Sequence, residues 1–177
     1  PIFTLGHSMG GLIAAHLLLQ DAQSYRGAMF SAPAFSADEA VSPVTLWLGR
    51  LLRAVMPKIG MMSLEADQIS RDPAVVADYI ADPLVYNGKI TAALGMELLS
   101  AMDDAIAGAQ HITLPIYIAH GEADVMAMPD GSRAFFQALA SQDKTLDWWP
   151  DLYHEIFNEP ESEAVMDRFA GWLEAHL

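Results

Sequence analysis

The sequence predicts an α/β fold built on a parallel sheet, and three observations carry that prediction. A short apolar run, PIFTL at 1–5, breaks on a serine framed by small residues, GHSMGG at 6–11, and passes into a helix-forming run, LIAAHLLL at 12–19. A second strand candidate, YRGAMFS at 25–31, completes a strand, helix, strand unit, which implies parallel pairing. Two further strand candidates, LPIYIAHG at 114–121 and TLDWW at 145–149, are each followed by a helical pattern.

Taken in order, the first junction is the most informative. In a G-x-S-x-G turn between strand and helix, the serine adopts a strained backbone that lifts its Oγ above the strand end, and glycines two before and two after leave room for the turn. Gly6, Ser8 and Gly10 fit that spacing, and Ser8 is the candidate nucleophile. The five-residue pattern alone is weak; the flanking strand and helix give it weight. After the second strand, Ala32-Pro33 ends the run, because proline cannot continue a central ladder.

From about 36 to 108 the texture becomes helical, without convincing strands. Residues 44–56 (VTLWLGRLLRAVM) are apolar except for Arg50 and Arg53, with Pro43 and Pro57 at the ends. Residues 91–107 form an amphipathic pattern with Leu94, Leu98, Met102 and Ile106 at helical spacing. Most of these side chains read as ordinary core. The segment as a whole reads as a cap over an apolar-lined site.

The strand at 114–121 runs into Glu122-Ala123-Asp124, which places an acid just past the carboxyl end of a parallel strand, where ligand sites collect. A helix at 132–139, the strand at 145–149, a loop at 151–155 containing His154, and a final helix at 162–176 complete the chain.

Serine is a weak nucleophile at neutral pH and needs a histidine to take its proton and a carboxylate to fix that histidine's tautomer. Of six histidines, His7 and His16 lie on the turn and its helix, His111 precedes a strand, His120 belongs to the acid loop and His176 is terminal. Only His154 follows the last strand in a loop. Asp124 is preferred to Glu122, its nearest rival, and to Asp130; Asp147 falls inside a strand, and Asp151 is too close to His154 for a contact across loops. The order Ser8, Asp124, His154 is the one expected when such a turn carries the nucleophile. His120, Glu122 and Asp124 alternate, yet a lone cluster in one loop reads as structural and not as a metal site. No cofactor and no metal is expected.

The length of 177 residues suits one domain spanning 1–177, with the cap at 36–108 inserted in it, and a hydrophobic content of 53% is ample for a core. The net charge of −14 makes nucleic acid and anionic membrane surfaces poor partners. The absence of cysteine excludes disulfides, thiolate zinc sites and cysteine nucleophiles.

Four stretches together carry a family resemblance: GHSMGG at 6–11, DPLVYNGKIT at 82–91, HGEAD at 120–124 and HEIFNE at 154–159. They resemble the monoacylglycerol lipase and lysophospholipase branch of the α/β-hydrolases over nearly the whole chain. The resemblance implies an α/β-hydrolase fold, here its C-terminal portion with parallel strands and an inserted helical cap. It implies a serine hydrolase of lipid esters, with Ser8 attacking the carbonyl, His154 as base and then acid, Asp124 orienting His154, and the Met9 N–H in the oxyanion hole. Full members carry about four strands before the turn and a His-Gly loop supplying the other oxyanion donor. The chain begins at Pro1 without them, so it reads as lacking its N-terminal part and is expected to be poorly active alone, with an open edge at 2–5.

Three alternatives stay open: a short-chain carboxylesterase, a proline-aminopeptidase-like peptidase, and a non-catalytic binding protein of the same fold. The expected partner is a small lipid ester, with transient membrane or micelle contact through the cap and a cytoplasmic location. Oligomeric state, acyl-chain length and head group are not fixed by the sequence.

Overall fold

A computed structural model of the chain describes residues 1–36 and 43–177. Four parallel strands form the central sheet: β1 (Phe3–His7), β2 (Gly27–Ser31), β5 (Ile116–Gly121) and β6 (Lys144–Trp149), in the spatial order β1-β2-β5-β6. Helices α1 (Met9–Asp21), α5 (Pro129–Ala138) and α6 (Ser162–Ala175) connect or follow the strands. Every residue of β2 and β5 is buried, as expected of central parallel strands covered on both faces.

Alternation along those strands divides the core. Ala28, Phe30, Ile116 and Ile118 face α1 and α5, packing with Leu12, Leu18, Phe35 and Phe135. Met29, Tyr117 and Ala119 point the other way, onto Val165, Phe169 and Trp172 of α6. Period-two side-chain geometry thus builds one packed layer on each face of the sheet. Among the described residues β1 pairs with β2 alone, at the edge of the sheet, and Ile2 just before it and Leu5 within it are exposed.

Among the described residues between β2 and β5 run three further α-helices, α2 (Pro43–Val55), α3 (Pro73–Ala81) and α4 (Ala92–Gly108). The expectation of a helical stretch without strands needs correction: β3 (Gly60–Met62) and β4 (Ile90–Thr91) pair antiparallel. Strands of three and two residues leave no alternation to read. Within the expected cap at 36–108, residues 37–42 lie outside the described residues. α3 begins on the Asp72 side chain, which accepts from the Ala74 N–H at 2.8 Å with Pro73 in the first turn. α4 begins on Thr91, whose hydroxyl accepts from the Leu94 N–H. α2 lies against α4 where Gly49 meets Met96, since a Cβ on Gly49 would stand 2.7 Å from the Met96 sulfur. The stripe along α4 splits in use: Met102 is buried with the main core, while Leu94 is exposed at the other end. Among the described residues no helix is long and apolar enough to cross a membrane.

Candidate active site

The strand-to-helix turn after β1 has the strain that its spacing implies. Ser8 holds φ 53° and ψ −124°, a conformation that L-residues avoid unless the surroundings enforce it. Those surroundings are visible. The Ser8 N–H donates to the Ser31 carbonyl at 3.1 Å, and the Ser8 carbonyl accepts from Gly11, Leu12 and Ala34. A Cβ on Gly6 would come within 2.4 Å of the Gly10 carbonyl oxygen, and one on Gly11 within 2.7 Å of the Pro33 ring. Gly10, by contrast, faces open space, so the close approach required of glycine falls on Gly6 and Gly11 and not on the second glycine of the five-residue pattern.

Ser8, Asp124 and His154 converge. His154 Nε2 lies 2.7 Å from Ser8 Oγ, and His154 Nδ1 lies 2.7 Å from Asp124 Oδ2. The loops bearing His154 and Asp124 touch through backbone: Ala123 N–H donates to the Leu152 carbonyl, and a Cβ on Gly121 would stand 2.2 Å from that same oxygen. A carboxylate on Nδ1 places the proton there and leaves the Nε2 lone pair facing the serine hydroxyl.

Asp124 is buried, and both oxygens are occupied. Oδ1 accepts from the N–H groups of Met126 and Ala127 at 2.8 and 3.0 Å, and Oδ2 receives His154 and His120. Burial alone would raise its pKa; the hydrogen bonds from His120 and His154 outweigh it and hold the carboxyl below the usual carboxylate range. His120 is therefore part of the site, where the sequence placed it in the acid loop. It sits in β5, fully buried, with Nε2 donating toward Asp124 Oδ2 (3.1 Å) and the Ala127 carbonyl (2.8 Å), and Nδ1 receiving the Ser132 hydroxyl at 2.7 Å. The i, i+4 spacing of His120 and Asp124 was the available signal.

His7 precedes the serine and lies against His154, with ring centroids 4.9 Å apart. Its Nδ1 reaches the Ser31 carbonyl and hydroxyl. Burial first, and the neighbouring His154 second, lower its pKa to about 4. Glu122, the rival acid, is exposed at a separate surface recess with Arg133 and Trp148. His16 and His176 bond to the carbonyls of Ala101 and Trp172, remote from Ser8. Among the described residues no group of three His, Asp or Glu side chains is placed to hold a metal ion.

Above Ser8 and His154 opens a cavity of about 530 Å³, within the ~300–1,000 Å³ usual for small-molecule sites. Its walls are mostly apolar and come from the segment between β2 and β5, including Met61, Met62, Leu94, Leu98, Leu99 and Met102. Tyr79, Thr91 and Glu155 are polar lining residues away from the serine; burial, then Glu155, raises the Tyr79 pKa.

A parallel sheet clothed in helices, with a strained serine between its first strand and helix and a histidine and an acid on the later strand-end loops, defines an α/β-hydrolase. The model of the family described as "Serine aminopeptidase, S33" matches residues 1–161, and the chain belongs to that family. Its sequence is 38% identical over 177 residues to a monoacylglycerol lipase of Mycolicibacterium smegmatis, covering 100% of this chain and 63% of that one. It is 29% identical to the monoglyceride lipase of Rattus norvegicus, covering 98% and 58%. The crystal structure of the monoacylglycerol lipase of Paleococcus ferrophilus superposes with a TM-score of 0.90 at 32% identity, covering 99% of this chain and 68% of that one. The chain thus spans about six tenths of the length of these curated relatives.

Proposed function

We propose that the protein is a serine hydrolase of lipid carboxylic esters, acting on monoacylglycerols or lysophospholipids. The observation that carries the reading is the opening of the Ser8–His154–Asp124 chain onto the apolar cavity of about 530 Å³. His154 Nε2 takes the proton of Ser8 Oγ as the oxygen attacks the ester carbonyl, and Asp124 stabilises the imidazolium formed. Collapse of the tetrahedral intermediate breaks the ester bond, and His154 returns the proton to the departing alcohol. Water, deprotonated by the same nitrogen, then releases the fatty acid from Ser8. Met9, first residue of α1, carries an N–H without an acceptor inside its helix and serves as an oxyanion donor.

The segment between β2 and β5 is the cap that receives the acyl chain. Trp47, Leu51 and Val55 of α2 are exposed, and this outer face meets the micelle or membrane that supplies substrate. A second reading has one specific support: Glu155 is the only carboxylate among the cavity-lining residues described, and an aminopeptidase would use such a group to hold an α-ammonium. The apolar walls favour the lipid.

The test is labelling by a fluorophosphonate together with turnover of a monoacylglycerol and of an amino-acid anilide. The lipid reading expects label on Ser8, none on Ser8→Ala, and a turnover loss of about 10⁶-fold in that variant. Preference for the anilide would favour the peptidase; absence of both label and turnover in the full-length protein would favour a binding protein.

A further inference from the structure

Behind the His154 loop lies a buried carboxylate that the proposed chemistry leaves unused. Glu159 is 2% exposed, and its oxygens are fully engaged. Oε1 accepts from the Tyr153 N–H at 2.8 Å, and both oxygens accept from the Arg71 N–H at 3.3 Å. Oε2 also accepts from Arg71 Nε at 3.1 Å. A buried carboxylate is costly to hold unless paired and hydrogen-bonded throughout, and here the partners come from two separate parts of the chain.

One part is the peptide immediately before His154. The other is the irregular run 69–72 that leads into α3 and contributes Ile69 to the cavity wall. Two more bonds join the same pair of segments: Glu155 N–H to the Ile69 carbonyl at 2.7 Å and Ser70 Oγ to the Asn158 carbonyl at 3.1 Å. Arg71 continues to Glu161. Among the described residues, Arg71 makes the only ion pairs between the segment 43–108 and the rest of the chain.

We propose that Glu159 is a positioning residue, which with Arg71 fixes the His154 loop to the cavity wall so that the base and the acyl-chain pocket form one rigid unit. This rests on the reading of His154 as the base. The Tyr153 N–H is one residue from His154, so its tether sets the backbone from which the imidazole reaches Ser8 Oγ and Asp124 Oδ2. Movement of 69–72, as in opening the cavity, then displaces the imidazole. A misplacement near 1 Å costs about 10²-fold in rate.

The experiment compares Glu159→Gln, Arg71→Met, Arg71→Lys and the double variant Glu159→Gln/Arg71→Met in the full chain. Three measurements are made: thermal melting, kcat and KM on a monoacylglycerol, and the low-field proton NMR resonance of His154 Nδ1–H in its bond to Asp124. Expected are folded proteins in which Glu159→Gln and Arg71→Met each lower kcat by about ten- to a hundredfold with KM within about twofold. Their low-field resonance is broadened or lost, the double variant is no worse than the poorer single one, and Arg71→Lys recovers part of the rate. Should Glu159→Gln fail to fold, the half-buried Arg71 pair decides. Wild-type kcat and an intact resonance in folded Arg71→Met would overturn the proposal, as would a rate loss with the resonance unchanged. A wild-type protein that is inactive on esters yet loses the resonance in these variants would count against the hydrolase reading alone.

Discussion

His120 Nε2 lies 3.1 Å from Asp124 Oδ2, the same oxygen that His154 Nδ1 reaches at 2.7 Å. One carboxylate oxygen thus serves two histidines, one facing the serine and one locked in β5 behind it. His120 is held in the Nε2–H tautomer by the Ser132 hydroxyl on its other nitrogen. We expect His120→Phe to cost about 1–3 kcal/mol of stability, since Ser132 Oγ and the Ala127 carbonyl lose their partner while buried. Turnover should fall far less than in Asp124→Asn, for which about 10⁴-fold is expected. Denaturant unfolding and ester kinetics on both variants check this; equal losses of kcat would show that His120 acts in the proton transfer itself.

The strained turn at Ser8 yields a prediction that departs from its motif. Gly10→Ala should be tolerated, with turnover within about twofold and stability raised by roughly 0.5–1 kcal/mol, because the added methyl meets nothing within 4 Å and alanine favours the helix. Gly6→Ala and Gly11→Ala should each lose on the order of 1–3 kcal/mol, since their methyls would overlap backbone and the Pro33 ring. Thermal melts of the three variants separate the cases.

How far the site was legible follows from which forces act locally. The strand, turn and helix around Ser8 are written in consecutive residues, and His154 stands out because it follows the last strand of an alternating series. Asp124 was separable from Glu122 only by rank, whereas the structure distinguishes them plainly: one is buried with four hydrogen bonds, the other exposed. His120 was read as part of a structural cluster in the acid loop, because alternation with Glu122 and Asp124 does not show that its ring, held in β5, reaches the Asp124 carboxylate. The Arg71–Glu159 pair could not be read at all, because 88 residues separate its members and no periodicity links them. The β3–β4 pair failed for the opposite reason, being too short to show a pattern.

The His7 ring should give stability a pH dependence of known sign. Its pKa falls from 6.5 to about 4 on folding, so between those values the unfolded chain binds more protons and stability rises with pH. The contribution is fully present above about 6.5 and is lost as pH falls toward 4. Urea unfolding of wild type and His7→Phe from pH 4.5 to 7 should show a shallower slope in the variant. A wild-type slope in His7→Phe would mean that another group carries the effect.

The walls of the cavity make the last prediction. If the acyl chain lies along Leu94, Leu98 and Met102, each methylene it adds inside removes apolar surface from water. At ~0.8 kcal/mol per buried CH₂, kcat/KM should rise by about fourfold per carbon at most, until the cavity is filled. Leu98→Trp adds bulk inside that volume while leaving Ser8, His154 and Asp124 untouched. The rise should therefore stop at a shorter chain in Leu98→Trp, with short-chain esters turned over as in wild type. Rates on a series of monoacylglycerols of increasing chain length measure both curves. A variant whose curve is lowered uniformly, without a shift in where it levels off, would place the acyl chain elsewhere, because a wall that does not touch the chain cannot select its length.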